Sequence, residues 1–167
     1  FLPIYNDSQF KIKTKLDEKN QITFIGLGAI DDFVLNTGIN ENILAKETLT
    51  QQDSSDIKNN NYILGYLPVT TQWNYAVGAN WTHFNDNSFQ NFIFSRNHLS
   101  NTSFKYKDNI ESDENLLQDY LSEEIENKFR FENTIRKNGW KINFGTGLEY
   151  VTYKNNTYQK FIYQNRF

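Results

Sequence analysis

The chain has 167 residues, a formal charge of -3 and no cysteine. That is one domain's length, with no basic field to gather nucleic acid and no disulfide, thiolate metal site or cysteine nucleophile. Aromatic residues reach 16% while mean hydropathy is -0.71, a pairing expected when alternate side chains face lipid and water. No apolar run approaches the ~20 residues of a membrane-crossing helix, which leaves a strand-built membrane protein as the open case.

In chain order, Gln9 to Leu16 alternates, with Phe10, Ile12, Thr14 and Leu16 opposite Lys11, Lys13 and Lys15. A period of two predicts a strand. Asp17-Glu18-Lys19-Asn20 reads as a tight turn, and Ile22, Phe24 and Gly26 open a second strand. From about Asp31 to Asn61 the pattern dissolves into a long polar loop, with room for a short helix between Glu41 and Leu49. Periodicity returns near Tyr62. It is sharp from Trp73, where Trp73, Tyr75, Val77, Ala79 and Trp81 share one parity. Asn85-Asp86-Asn87-Ser88 is the next turn, and the strand after it carries Phe92 and Phe94 towards Lys107. A second polar loop covers Asp108 to about Ser122. Phe129 and Phe131 then alternate with Lys128, Arg130 and Glu132 up to a turn at Arg136-Lys137-Asn138-Gly139. The last strand sets Ile142, Phe144, Leu148 and Tyr150 against Lys141, Asn143, Gly145, Gly147 and Glu149. Asn-Gly between two such runs is a strong hairpin signal.

Connections therefore alternate short and long, as in up-and-down outer-membrane barrels with short periplasmic turns and long extracellular loops. The expected fold is all-β: about six long antiparallel strands forming a segment of a transmembrane β-barrel. Residues 1–167 would be one partial barrel domain with no second domain. Six strands fall short of the about eight of the smallest bacterial barrels. With Phe1-Leu2-Pro3 at the start and no Met or signal segment, the chain reads as an internal piece of a longer protein.

Several phrases resemble barrel segments of TonB-dependent receptors from Bacteroidota: Ile25-Gly26-Leu27-Gly28-Ala29-Ile30-Asp31-Asp32-Phe33, Tyr62-Ile63-Leu64-Gly65-Tyr66-Leu67-Pro68 and Glu123-Glu124-Ile125-Glu126-Asn127-Lys128-Phe129-Arg130. The resemblance implies an outer-membrane barrel of about 22 strands, filled by an N-terminal plug and importing a scarce nutrient with energy delivered by TonB. Its implied partners are outer-membrane lipid, the rest of the barrel and plug, and TonB through a segment not present in this sequence; a surface lipoprotein stays open. From the net charge and the lack of a catalytic grouping, no cofactor, catalysis or nucleic-acid partner is expected. The alternative is a soluble or surface-attached all-β module that binds carbohydrate. An outer-membrane hydrolase ranks third, because no catalytic grouping is visible.

Lys11, Lys13, Lys15, Lys128, Arg130 and Lys141 share the polar parity and are the candidate lumen-facing residues, since lipid-facing Lys or Arg costs ~2–4 kcal/mol at the midplane. Trp73, Tyr75, Trp81 and Trp140 are the candidate membrane-interface aromatics. Gly26-Leu27-Gly28 and Gly145-Thr146-Gly147 lack the third glycine and the helix of a dinucleotide site. Glycines there leave room for packing or strand bending. His83 and His98 show no metal-ligand spacing: His83 reads as an interfacial residue near a turn, His98 as part of a polar stretch. Asp31-Asp32 and Glu111 to Glu114 read as solvated acids. Sequon matches such as Asn80-Trp81-Thr82 are what an Asn-rich chain produces by chance.

Overall fold

The computed structural model describes residues 2–161. Six antiparallel strands form one sheet in sequence order: β1 (Leu2–Lys15), β2 (Asn20–Val34), β3 (Val69–Asn85), β4 (Ser88–Tyr106), β5 (Leu116–Lys137) and β6 (Trp140–Gln159). Every strand pairs only with its chain neighbours, so β1 and β6 are edges and the sheet is not closed. All-β, up-and-down architecture with about six long strands is as expected from the alternation. At 14 to 22 residues, the strands far exceed the globular norm of about 5–6.

The short connections have identifiable causes. Asp17 Oδ1 accepts the backbone N–H groups of Lys19 and Asn20 at 2.8 Å each, and the Asn20 amide bridges both Asp17 oxygens. Those donors, the Asn20 side chain foremost, hold the Asp17 carboxyl below the usual carboxylate range. Asp86-Asn87 makes a two-residue turn between β3 and β4. Asn138 and Gly139 sit at φ 51° and 78°, the left-handed pair that matches hairpin twist.

Burial is inverted relative to a water-soluble domain. Among the described residues no apolar side chain is buried, whereas Thr23, Thr82, Ser100, Lys105, Ser122 and Thr134 of the strands are. Exposed apolar groups include Ile12, Phe94, Phe144 and Leu148. There is one sheet and no second layer on either face among the described residues.

Several element bounds differ from the sequence reading. β1 starts at Leu2 rather than near Gln9, because pairing with β2 runs on to Leu2 opposite Val34. Asp31 and Asp32 therefore lie in β2, opposite Tyr5 and Ile4, and not in a loop. The polar stretch after it contains α1 (Glu41–Leu44) and α2 (Gln51–Tyr66). Tyr62 to Tyr66 thus closes a helix instead of starting a strand, and the strand begins only at Val69, after Pro68. The second long loop is also shorter than expected, since β5 starts at Leu116.

The helix forms without an apolar stripe because its ends are tied by polar groups. Thr50 and Asp53 make a reciprocal capping box, a device that satisfies two otherwise orphaned donors. The Lys46 ammonium, 2.6 Å from Asp53, together with the Thr50 hydroxyl and amide, holds the Asp53 carboxyl far below its ordinary value. Asn40 joins α1 to α2, donating to Asn61 at 2.9 Å and accepting from Asn60 at 2.8 Å.

Two outcomes follow for measurement. Gly139→Val should lower stability by roughly 1–2 kcal/mol, the cost of a branched residue in a left-handed position, read as an earlier denaturant midpoint. Asp53 is depressed in the folded state, so its stabilisation is complete above about pH 4 and is lost as pH falls further. Amide exchange in α2, corrected for intrinsic rates, should therefore accelerate below about pH 4. Asp53→Asn should remove that dependence.

Candidate functional site

In an antiparallel sheet, residues opposite one another share a face. The register therefore assigns every strand side chain to one of two faces. One row runs Lys13, Thr23, Asn80, Ile93, Arg130, Gly147 from β1 to β6; its neighbours run Lys11, Ile25, Gly78, Ser95, Lys128, Glu149 and Lys15, Gln21, Thr82, Asn91, Glu132, Gly145. Lys141, opposite Arg136, has the same parity. All six cations singled out from the sequence therefore occupy one polar face.

That face carries its own bonding pattern. The Thr82 hydroxyl donates to Asn91 at 2.8 Å, and the Asn91 amide reaches Glu132 at 3.5 Å. Glu132 is ion-paired with Arg130. Lys128 lies 2.9 Å from Glu126 and 3.7 Å from Glu149, and Asn97 donates to Glu126 at 3.1 Å. The alternation already puts Glu132 and Glu149 on the polar parity, but it singles out none of the three glutamates as a site residue. Lys11, Lys13, Lys15 and Lys141 make no ion pair among the described residues. Asn80 Oδ1 is buried without a hydrogen-bond partner. An open hollow of about 1010 Å³ lies against β4, β5 and β6, lined by Asn91, Arg130, Glu132, Asn143 and the Gly145 and Gly147 backbone.

The opposite face is apolar over its turn-proximal part. Consecutive rows carry Ile22, Trp81, Phe92 and Phe131, then Ile12, Phe24, Ala79, Phe94, Phe129 and Leu148. Rings stack across strands, Phe94 on Phe129 at 4.9 Å and Phe92 on Phe131 at 5.0 Å. Gly26 fits here because a Cβ would run into the Phe10 ring.

The four singled-out aromatics all share this face, at its two margins. Near the turns, Trp81 Nε1 donates to Asn20 Oδ1 at 3.1 Å, and His83 Nδ1 lies 2.8 Å from the same oxygen. Trp140 is exposed beside the last turn. At the other margin, Trp73 and Tyr75 lie nearly parallel, with the His98 ring packed edgewise against both. His98 is thus part of an aromatic cluster on the apolar face. Its Nε2 is 3.3 Å from Glu123 without hydrogen-bond geometry.

At the loop end, Lys105 ties the sheet to both long connections. Its buried ammonium donates to the Leu64 and Leu67 carbonyls, at 2.8 and 2.9 Å, and to Asn109. A cation on the carbonyl end of α2 is also favoured by the helix dipole. No three-carboxylate or histidine grouping suited to a metal exists among the described residues. No protein-family model, curated protein or solved structure matches the chain.

Lys105→Met should free the last turn of α2. Hydrogen bonds to charged groups are worth about 1.5–3 kcal/mol, so amide exchange there should quicken by roughly 10- to 100-fold. Exchange in the β3–β4 ladder below Thr102 should stay unchanged.

Proposed function

We propose that this sheet is a section of the wall of an outer-membrane β-barrel, in a TonB-dependent receptor that captures and imports a scarce nutrient. The observation that carries the reading is the inverted burial: an exposed apolar face, a polar face with buried Thr23, Thr82, Ser122 and Thr134, and no apolar core among the described residues. Such a sheet is stable only if something apolar covers one side, and a bilayer does so along its whole length.

The dimensions agree with a membrane belt. From Trp140 to Tyr150 the apolar parity of β6 runs ten residues, about 33 Å along the strand and about 25 Å along the axis at a ~40° tilt. Trp81, His83 and Trp140 would sit at the periplasmic interface and Trp73 and Tyr75 at the outer one, where amphipathic rings concentrate. Lys11, Lys13, Lys15, Lys128, Arg130 and Lys141 would face the lumen, near the plug. A sandwich-type carbohydrate module needs a second sheet on the apolar face, and the described residues supply one sheet only.

The mechanism is gated import rather than catalysis. The loop carrying α1 and α2, with that between β4 and β5, would form part of the outer vestibule that meets the ligand. TonB, acting through the plug, would supply the energy.

The test uses the full-length protein. It should extract from membranes only with detergent and migrate faster on gels when left unheated. These 167 residues contain no cysteine, so in a full-length protein with any other cysteine replaced, single cysteines report parity directly. Phe144→Cys and Ile142→Cys should resist a water-soluble maleimide, and Asn143→Cys and Lys141→Cys should react. Equal labelling of both parities, or full solubility without detergent, would sink the proposal.

A further inference from the structure

Arg96 breaks the pattern. It lies on the apolar face, in the row Phe10, Gly26, Val77, Arg96, Asn127, Tyr150. Among the described residues, the rows of this face from Ile142 to Tyr150 carry no other charge. Lys137 lies at the turn margin opposite Trp140, Glu123 and Lys154 lie beyond Arg96, and the remaining Lys and Arg of the strands keep to the polar parity, where they avoid the membrane penalty. Arg96 is held in place by two neutral partners, donating from Nε to the Tyr75 hydroxyl at 3.1 Å and from Nη1 to Asn127 Oδ1 at 2.9 Å. No carboxylate pairs with it among the described residues. The side chain is exposed, oriented and without a counter-ion.

What lies next to it is a groove. An open hollow of about 800 Å³ crosses the apolar face, lined by Phe24, Ala79, Phe94, Phe129 and Leu148, with Arg96 and Asn127 at its rim. Ala79, a small side chain opposite Phe24, keeps the floor low between the rings. Two strands across from Arg96 and two rows further along, the face turns polar again: Lys154 is 65% exposed and only loosely engaged with Glu123, at 3.8 Å. An apolar trough ending on an unpaired guanidinium matches one kind of occupant, a molecule with a hydrocarbon body and an anionic head.

We propose that this groove and Arg96 form a binding site for an anionic lipid of the surrounding membrane. One acyl chain lies over Ala79 between Phe24, Phe94 and Phe129. The phosphate takes the free Nη2 edge of Arg96, and Lys154 adds longer-range attraction from the headgroup level. Charge complementarity selects the head: a zwitterionic lipid offers the same chain but brings its own cation to the guanidinium. A charge-assisted hydrogen bond to phosphate is about twice as strong as a neutral one. The inference rests on the membrane placement proposed above, and its test separates the two.

The full-length protein, with Trp73 as its only tryptophan, is reconstituted in phosphatidylcholine vesicles doped with brominated lipid. Trp73 lies beside Tyr75 and His98, next to the head of the site. Brominated phosphatidylglycerol should quench it with about fivefold higher apparent affinity than brominated phosphatidylcholine, the preference expected of one basic residue near anionic lipid. Arg96→Gln should abolish that preference, and Arg96→Lys should keep most of it. Equal quenching by both lipids in the wild-type protein overturns the site while leaving the barrel standing. So does a preference unchanged in the Arg96→Gln, Lys154→Gln double variant. Absence of quenching by either lipid places Trp73 away from the bilayer and removes the membrane reading itself.

Discussion

The register of five neighbouring strand pairings is the constraint on which everything else in this molecule depends. Because facing residues share a side, parity set in β1 propagates unbroken to β6. A slip of one residue in the β4–β5 pairing would carry Lys128 and Arg130 to the side of Phe92 and Phe94, and Phe129 and Phe131 to the side of Asn91 and Ser95. The tight turns hold that register: the Asp17 carboxylate gathers the amides of Lys19 and Asn20, and Asn138-Gly139 supplies two left-handed residues. The register lapses only between Lys105 and Tyr106, at the far end, where the strands hand over to loops.

From a fixed parity follows the unusual distribution of stabilising forces. Apolar rings pack against each other across strands, yet all their outer surfaces stay open. In water such a sheet would gain little from the hydrophobic effect and would expose far more than the few hundred Å² of apolar patch tolerated by a soluble monomer. The polar side, by contrast, satisfies much of itself, through Thr82–Asn91–Glu132–Arg130 and the Lys128 pairs. The sheet is thus largely self-satisfied on the polar side at β3 to β6 and dependent on its surroundings on the apolar one.

The strands were legible in the sequence because alternation over ten or more residues has few competing explanations. The helix α2 was not. Its residues Gln51 to Asn61 lack any apolar stripe, and helical periodicity is read from such stripes. The Thr50-x-x-Asp53 box was the one local cue, and polar loops in an Asn-rich chain make that cue weak by itself. The misreading at Tyr62 has a related cause, since the short apolar run Tyr62-Ile63-Leu64 fits a helix or a strand equally well. The candidate cations and aromatics were placed on their faces by parity alone. Partners were a different matter: Glu126 and Glu149 meet Lys128 only because β5 and β6 pair in one particular register, which no single strand encodes. Arg96 was hidden for the opposite reason. In the sequence it belongs to a polar stretch, Arg96-Asn97-His98, and only parity divides that stretch between two faces.

Charge balance on the polar face also has a direction. At β5 and β6 each cation of the central rows has a glutamate beside it, whereas Lys11, Lys13 and Lys15 of β1 stand unpaired at the sheet edge. Three like charges two residues apart repel, so β1 gains from an anionic or strongly hydrated neighbour on that side. On the edge, every second residue of the 14 in β1 turns its backbone groups away from β2, and these demand a hydrogen-bonding neighbour of similar length. In a barrel wall both needs fall on the same place. A further strand would satisfy the backbone, and the carboxylates it or a lumen-filling segment carries would answer the lysines. The asymmetry between a self-neutralised β5–β6 and a cationic β1 is therefore better understood as one side of a larger charge pattern than as a field acting alone.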